Sequence, residues 1–292
     1  MIHHRHGESV VVRAPAKVNL FLEVLGKRTD GYHEIATLMV AVSLEDTLVF
    51  REEASSAIHL RCDHTELSTG PENLIVRAAE LLRERSGCRR GAGIELTKRI
   101  PLSAGLAGGS TDAAATLAGL NRLWQLGWTD AELAGLGAEL GSDVPFFFSP
   151  PAAWCTGRGE KIEPVKLGTP LHFVLVCPTR GLSTAEVYRN AAVPERPVSG
   201  TELCEAVRGG DVASTGRLLH NRLQGAAERL CPEVAQWCRR LTELEPAGVL
   251  MSGSGSSVFA LCRDQSEAWR IVRGLGSGPE EGPRISIVRT CV

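Results

Sequence analysis

No stretch of this sequence is apolar for long enough to cross a membrane as a helix. Charge of one sign is also missing: 32 Lys and Arg stand against 34 Asp and Glu, a net charge of −2. A nucleic-acid partner, which needs a basic face, is therefore not expected. The nine cysteines are odd in number and nowhere form Cys-x-x-Cys. Several, such as Cys177 and Cys262, sit inside apolar runs. That excludes a disulfide frame and a zinc site and suits reduced thiols. The opening Met-Ile-His-His-Arg-His has no apolar core of a secretory signal, so a cytoplasmic location is expected. His3, His4 and His6 read as a frayed polar end rather than a metal site. There is no repeat and no low-complexity tract. Tyrosine is scarce: Tyr32 and Tyr188 are the only two.

What is present is a core-forming chain of 292 residues, 43% apolar, long enough for two domains. Strands are expected at residues 10–12, 18–24, 35–42, 46–50, 58–62 and 93–97, with Pro15 marking an edge or bend. Residues 26–33 form a turn-rich loop, sharpest at Asp30-Gly31. Helical period appears at 73–85 and again at 129–140, where Thr129 and Glu132 make a capping box. Residues 154–165 read as a hairpin. Strands at 171–176, 249–250, 258–262 and 285–288 then mix with helices at 184–189, 201–207, 211–219, 232–244 and 266–275. The strand-rich first half gives way to a mixed second half near residues 164–170. This places one domain at 1–165 and another at 166–292.

The centre of the chain is the loop Pro101, Leu102, Ser103, Ala104, Gly105, Leu106, Ala107, Gly108, Gly109, Ser110 and Thr111. It feeds a helix whose apolar face carries Ala113, Leu117, Leu120 and Trp124. Ser110 or Thr111 is expected as its N-cap, with Asp112 in the first turn. Unpaired amides at a helix start, on a positive dipole end, with glycines that admit close approach, form a phosphate cradle. A Walker A motif is excluded because no Lys follows the last glycine. An ordinary loop-to-helix junction is the plain alternative.

Three further places carry chemistry. Lys17 and Asn19 are two apart, so in a strand they share a face; the alternative is a solvated edge. Asp143 stands before Pro145 and three phenylalanines, where a carboxylate can accept a proton or simply cap a helix. Residues 251–257, Met-Ser-Gly-Ser-Gly-Ser-Ser, are a second nest of backbone donors or a tight loop. A phosphoryl transferase needs phosphate donors, a cation for developing charge and an acceptor for the alcohol proton. Ser110 to Asp112, Lys17 and Asp143 could fill those roles.

Pro-x-x-x-Gly-Leu-x-Gly-Gly-Ser-Thr resembles the phosphate loop of the GHMP kinases, and residues 251–257 resemble their C-terminal glycine motif. Pro-Ala-Lys-Val-Asn-Leu-Phe-Leu, the Asp30-Gly31-Tyr32-His33 segment and Gly-Ser-Asp-Val-Pro-Phe-Phe narrow the likeness to members acting on an alcohol that carries a cytidine diphosphate group. The likeness runs from about Val11 to Leu261. It implies an α/β (α+β) fold of two domains, an N-terminal α/β domain and a ferredoxin-like C-terminal one, with the active site in the cleft between them. It implies ATP with Mg²⁺, its phosphates on residues 101–111, and no metal ligand set in the protein. It implies Asp143 as general base, with Lys17 beside it and Asn19 in the same pocket. Tyr32, His33 and Tyr188 would hold the cytosine, two rings stacking on its faces. No membrane is implied, and a monomer or weak homodimer is expected. A mevalonate- or homoserine-type kinase, or a sensor of the same fold without turnover, are the alternatives. Two departures stand out. Ala107 replaces a common glycine, and Asn221-Arg222-Leu223-Gln224 replaces a family Asn-Asp-Leu-Glu segment, losing both acids.

Overall fold

The computed structural model describes residues 2–6, 9–149, 151–276 and 282–291; for residues 2–6 the backbone alone is described, so the side chains of His3, His4 and His6 lie outside it. The chain divides into two compact units, each drawn from separate segments. The first comprises Met1–Ala16, Leu44–Ile100 and Ala107–Ser149; the second comprises Lys17–Ser43, Pro101–Leu106 and Pro150–Val292.

The first unit holds β1 (Ile2–His6), the start of β2 (Ser9–Lys27), the end of β3 (His33–Glu53), β4 (Ile58–Cys62), α1 (Leu74–Ser86), β5 (Gly91–Thr97), α2 (Gly108–Leu123) and α3 (Asp130–Leu140); the rest of β2 and β3 belongs to the second. The expected frayed end is instead a strand, with Ile2 opposite Arg13 in antiparallel register. β3 pairs antiparallel with β5 from Thr47↔Thr97, and β4 pairs parallel with β5. Apolar side chains at alternate positions, such as Leu48 and Phe50, and Ile94 and Leu96, supply the core under three mutually packed helices. Gly119 lets α2 lie against the sheet: a Cβ there would sit 2.4 Å from the Phe50 ring. The caps match local chemistry. Asn73 accepts from the Ile75 amide, Gly87 ends α1 in the left-handed region, and Thr129 and Glu132 form the expected box.

Two strand boundaries differ from expectation. The two strands expected on either side of Pro15 are one 19-residue strand, β2. β1 pairs with β2 only as far as Arg13, and Pro15 lies beyond it, where a missing N–H breaks no pairing of those two strands. Likewise 35–42 and 46–50 merge into the 21-residue β3.

The second unit adds β6 (Ala152–Gly157), β7 (Lys161–Pro164), β8 (His172–Cys177), α4 (Thr184–Asn190), α5 (Thr201–Gly209), α6 (Val212–Arg217), β9 (His220–Asn221), α7 (Gln224–Leu230), α8 (Pro232–Thr242), β10 (Gly248–Met251), β11 (Val258–Cys262), α9 (Gln265–Leu275) and β12 (Arg284–Arg289). β6 and β7 are the expected hairpin, and β6 also pairs antiparallel with the start of β3. A four-stranded antiparallel sheet runs β10-β11-β8-β12. Its central strands are apolar almost throughout and buried on both faces. α8 and α9 pack against this sheet and carry Val234, Leu241, Ile271 and Leu275 into one cluster with Val174, Val176 and Ala260. The short α7, which lies outside the helices expected from sequence, adds Ala226 and Ala227 to that cluster.

Candidate active site

Residues 101–106 of the glycine loop belong to the second unit, and residues 107–111 to the first. The helix begins earlier than expected: Ala107, not Ser110 or Thr111, is the N-cap of α2, with φ 57° and no side-chain cap. Ser110 and Thr111 lie inside the first turn. The amides of Gly108, Gly109 and Ser110 precede the first helical bond, which runs from the Thr111 amide to the Ala107 carbonyl at 2.9 Å. Among the described residues no acceptor takes those three N–H groups. Gly108 is required by contact, since a Cβ would meet Lys98 Nζ at 2.9 Å and Ile100 Cγ2 at 3.1 Å. The Thr111 hydroxyl is buried and has no partner among the described residues. Three open amides and an unpaired hydroxyl at a positive helix end fit a phosphate group.

Beneath this helix start lies a charge cluster that sequence reading missed. Lys98 bridges Asp46 and, at 2.9 Å, Asp112. Asp46 also accepts from the backbone amides of Arg99 and Ile100, the segment that enters the loop. Asp112 is only 2% exposed, so it is not a solvated first-turn acid, and its second carboxylate oxygen has no partner among the described residues. Burial pushes its pKa up to about 7 against the pull of Lys98, and the neighbouring Asp46 adds to the rise. Burial opposes the Lys98 ammonium, yet Asp112 and Asp46 outweigh it and raise that pKa. The sequence hinted at this only through Lys98 and Asp112 flanking the loop.

The front of the loop is gripped by residues 251–257. Ser252 Oγ donates to the Gly105 carbonyl at 3.0 Å, and the Ser257 amide donates to the Ala104 carbonyl at 3.2 Å. A Cβ at Gly105 would fall 2.2 Å from the Ser252 carbonyl oxygen. Of the two readings open for this glycine motif, the buried, self-bonded tight loop describes it.

Lys17 and Asn19 share a face of β2, as alternation requires, but that face is no solvated edge: they are 4% and 2% exposed. Lys17 Nζ donates to Asn19 Oδ1 at 2.6 Å and to the Gly105 carbonyl at 3.0 Å. Asn19 Nδ2 in turn donates to Thr37 Oγ1, which donates to the Phe21 carbonyl. The relay fixes which end of the Asn19 amide faces the ammonium. Asp143, in the first unit, is partly exposed and directly precedes Val144, the N-cap of a short 3₁₀ turn at Pro145–Phe148.

The aromatic candidates divide into two stacks. His33 and Tyr188 rings lie stacked, with centroids 5.2 Å apart, too close to admit a base between them. Tyr32 is 54% exposed, so it is not a core tyrosine, and the Arg158 guanidinium lies 4.9 Å from its ring centre. Burial, and then Lys27, hold the His33 pKa down, which favours the neutral ring. Arg158 is a second residue that sequence reading passed over, since it stood only as a turn position.

Among the described residues no three His, Cys, Asp or Glu side chains gather to hold a metal ion, and no helix is long and apolar enough to cross a membrane.

Comparison with known proteins agrees with this picture. The GHMP kinases N terminal domain matches residues 73–150, and the GHMP kinases C terminal domain matches residues 203–279. A relative from Shouchella clausii, 4-diphosphocytidyl-2-C-methyl-D-erythritol kinase, is 44% identical over 280 residues, 96% of this chain and 94% of that one. A protein of the same name from Pelotomaculum thermopropionicum is 44% identical across 90% of this chain and 92% of its own. A crystal structure of 4-(cytidine 5'-diphospho)-2C-methyl-D-erythritol kinase superposes with TM-score 0.81 at 37% identity, covering 97% of this chain and all of that one. Homoserine kinase from Cytophaga hutchinsonii, at 18% identity and TM-score 0.76 over 100% of this chain and 97% of its own, shares the fold. With the two-domain GHMP architecture in place and relatives this similar along nearly the whole length, the chain belongs to the GHMP kinases, in the family of 4-diphosphocytidyl-2-C-methyl-D-erythritol kinases.

Proposed function

We propose that this chain transfers the γ-phosphoryl group of ATP to the 2-hydroxyl of 4-diphosphocytidyl-2-C-methyl-D-erythritol, in the non-mevalonate route to isoprenoid precursors. The observation that carries the reading is the buried Lys17 ammonium, set by Asn19 and hydrogen-bonded to the Gly105 carbonyl of the phosphate loop. A buried ammonium held at that loop serves to offset charge on a transferring phosphoryl group.

Residues 101–111 would hold the ATP phosphates, with the amides of Gly108, Gly109 and Ser110 as donors. Asp143 would accept the proton of the 2-hydroxyl as its oxygen bonds to the γ-phosphorus and the bond to the ADP oxygen breaks. Lys17 steadies the charge that develops. No phosphoenzyme is needed, because no activated nucleophile stands at the site. Mg²⁺ would arrive with the nucleotide and neutralise phosphate charge; the unpaired Thr111 hydroxyl and Ser110 are the protein groups suited to it. Tyr32, His33 and Tyr188 would receive the cytosine, and the His33–Tyr188 stack must part for a base to lie between those rings. The domain division at 1–165 and 166–292, a cytoplasmic location and a monomer or weak homodimer complete the proposal.

The decisive variant is Asp143→Ala. Turnover should fall by about three orders of magnitude or more, while ATP binding by calorimetry stays within about twofold of wild type. Near-wild-type turnover would remove Asp143 from the role of base.

A further inference from the structure

The segment that departs from the family, Asn221 to Gln224, is bonded on two sides in this chain. Asn221 is 8% exposed, and its Nδ2 donates to the carbonyls of both Met251 and Gly253, each at 2.8 Å. Its Oδ1 accepts from the Leu223 amide at 2.9 Å, so the amide is saturated and cannot rotate without losing three bonds. Gly253 in turn lies directly against the catalytic lysine. A Cβ at Gly253 would fall 3.0 Å from Lys17 Nζ and 2.9 Å from the Gly105 carbonyl oxygen. Asn221 therefore sets the loop backbone that walls in the ammonium.

The second attachment is to the strand of Lys17 itself. β9 runs parallel to β2, with Phe21 opposite His220, and the Arg222 amide donates to the Leu22 carbonyl at 2.8 Å. The Arg222 guanidinium grips the fully buried Glu23 with two bonds, 2.7 Å from Nε and 2.8 Å from Nη2. Glu23 also accepts from the amides of Val24 and Val198. Arg222 thus has a buried acid as its partner. A bidentate pair of this kind fixes geometry as well as charge.

We propose that Asn221 and Arg222 are positioning residues that act through Lys17, bracing β2 on one side and the Gly253 backbone on the other so that the ammonium is held at the Gly105 carbonyl. The proposal rests on the catalytic reading of Lys17.

A double-mutant cycle tests it. Asn221→Ser should lower kcat about tenfold with KM for the cytidyl substrate within about twofold, because the nucleobase contacts lie elsewhere. In a Lys17→Met background the same change should cost less than about twofold, since the group it positions is gone. Arg222→Lys, a milder change that keeps a cation beside Glu23, goes through the same cycle, so the proposal stays testable if the serine variant does not fold. Its expected loss is about threefold in the presence of Lys17 and none without it. Equal losses in both backgrounds would mean a purely structural role and overturn the proposal. If Lys17→Met by itself keeps wild-type kcat, the catalytic reading of Lys17 fails first, and the brace has nothing to position.

Discussion

Asp112 is the residue whose ionisation the fold resists most plainly. Its ordinary pKa of 3.8 rises to about 7. The folded state therefore prefers the protonated acid, and its contribution to stability is full below about pH 3.8 and lost as pH climbs through about 7. Asparagine has no such loss. The melting temperature of Asp112→Asn relative to wild type should rise by several degrees between about pH 5 and pH 8. A difference that stays flat or falls would contradict the burial argument. Glu23 has the opposite sign. Burial alone would raise its pKa, but Arg222 and the Val198 and Val24 amides outweigh it and leave about 2. Its stabilisation is present above 4.5 and is lost as pH falls through about 2. Ala107 makes a third residue-scale case. At φ 57° an alanine is strained where a glycine is not. Ala107→Gly should leave the protein as stable or up to about 1 kcal/mol more stable in urea unfolding. A clear loss would show that the side chain does more than tolerate the turn.

At the scale of elements, the close seating of α2 on the first sheet depends on Gly119. Gly119→Ala should cost about 1–3 kcal/mol, because the added methyl meets the buried Phe50 ring rather than a flexible side-chain end. Thermal unfolding checks it; an unchanged melting temperature would mean the helix can lift without loss. The elements were legible where their signals are local. The Thr129–Glu132 box, the Asn73 start of α1 and the Asp30-Gly31 turn are written within four residues of themselves. β2 and β3 were legible only in pieces. Pro15 looks like an interruption in sequence, and only the extent of the β1 pairing shows that it breaks none of it. The start of α2 was misplaced because an alanine in the left-handed region gives no capping signal of its own.

At the scale of the whole chain, the site was legible to the degree that each residue's neighbours lie close in sequence or on one strand face. Lys17 and Asn19 were readable as a pair because strands alternate, and they hydrogen-bond at 2.6 Å. Lys98, Asp46 and Asp112 were not, because they come from the loop just after β5, from β3 and from α2, which only the fold assembles. The aromatic set was readable as residues but not as an arrangement. His33, not Tyr32, stacks on Tyr188, and Arg158 lies over Tyr32. The lost acids at Arg222 and Gln224 looked like a deficit in sequence. In the fold Arg222 meets Glu23, and Gln224 accepts from the Met251 amide at 3.1 Å.

If the proposed function holds, one particular tertiary alcohol, recognised through its cytidine diphosphate group, receives phosphate from ATP. Phosphorus NMR of the purified protein with ATP, Mg²⁺ and, in separate tubes, 4-diphosphocytidyl-2-C-methyl-D-erythritol, mevalonate and homoserine tests it directly. A new phosphomonoester signal and matching ADP are expected in the first tube alone. Phosphate transfer to mevalonate or homoserine with the first tube silent, or ATP bound in every tube with no transfer at all, would contradict it.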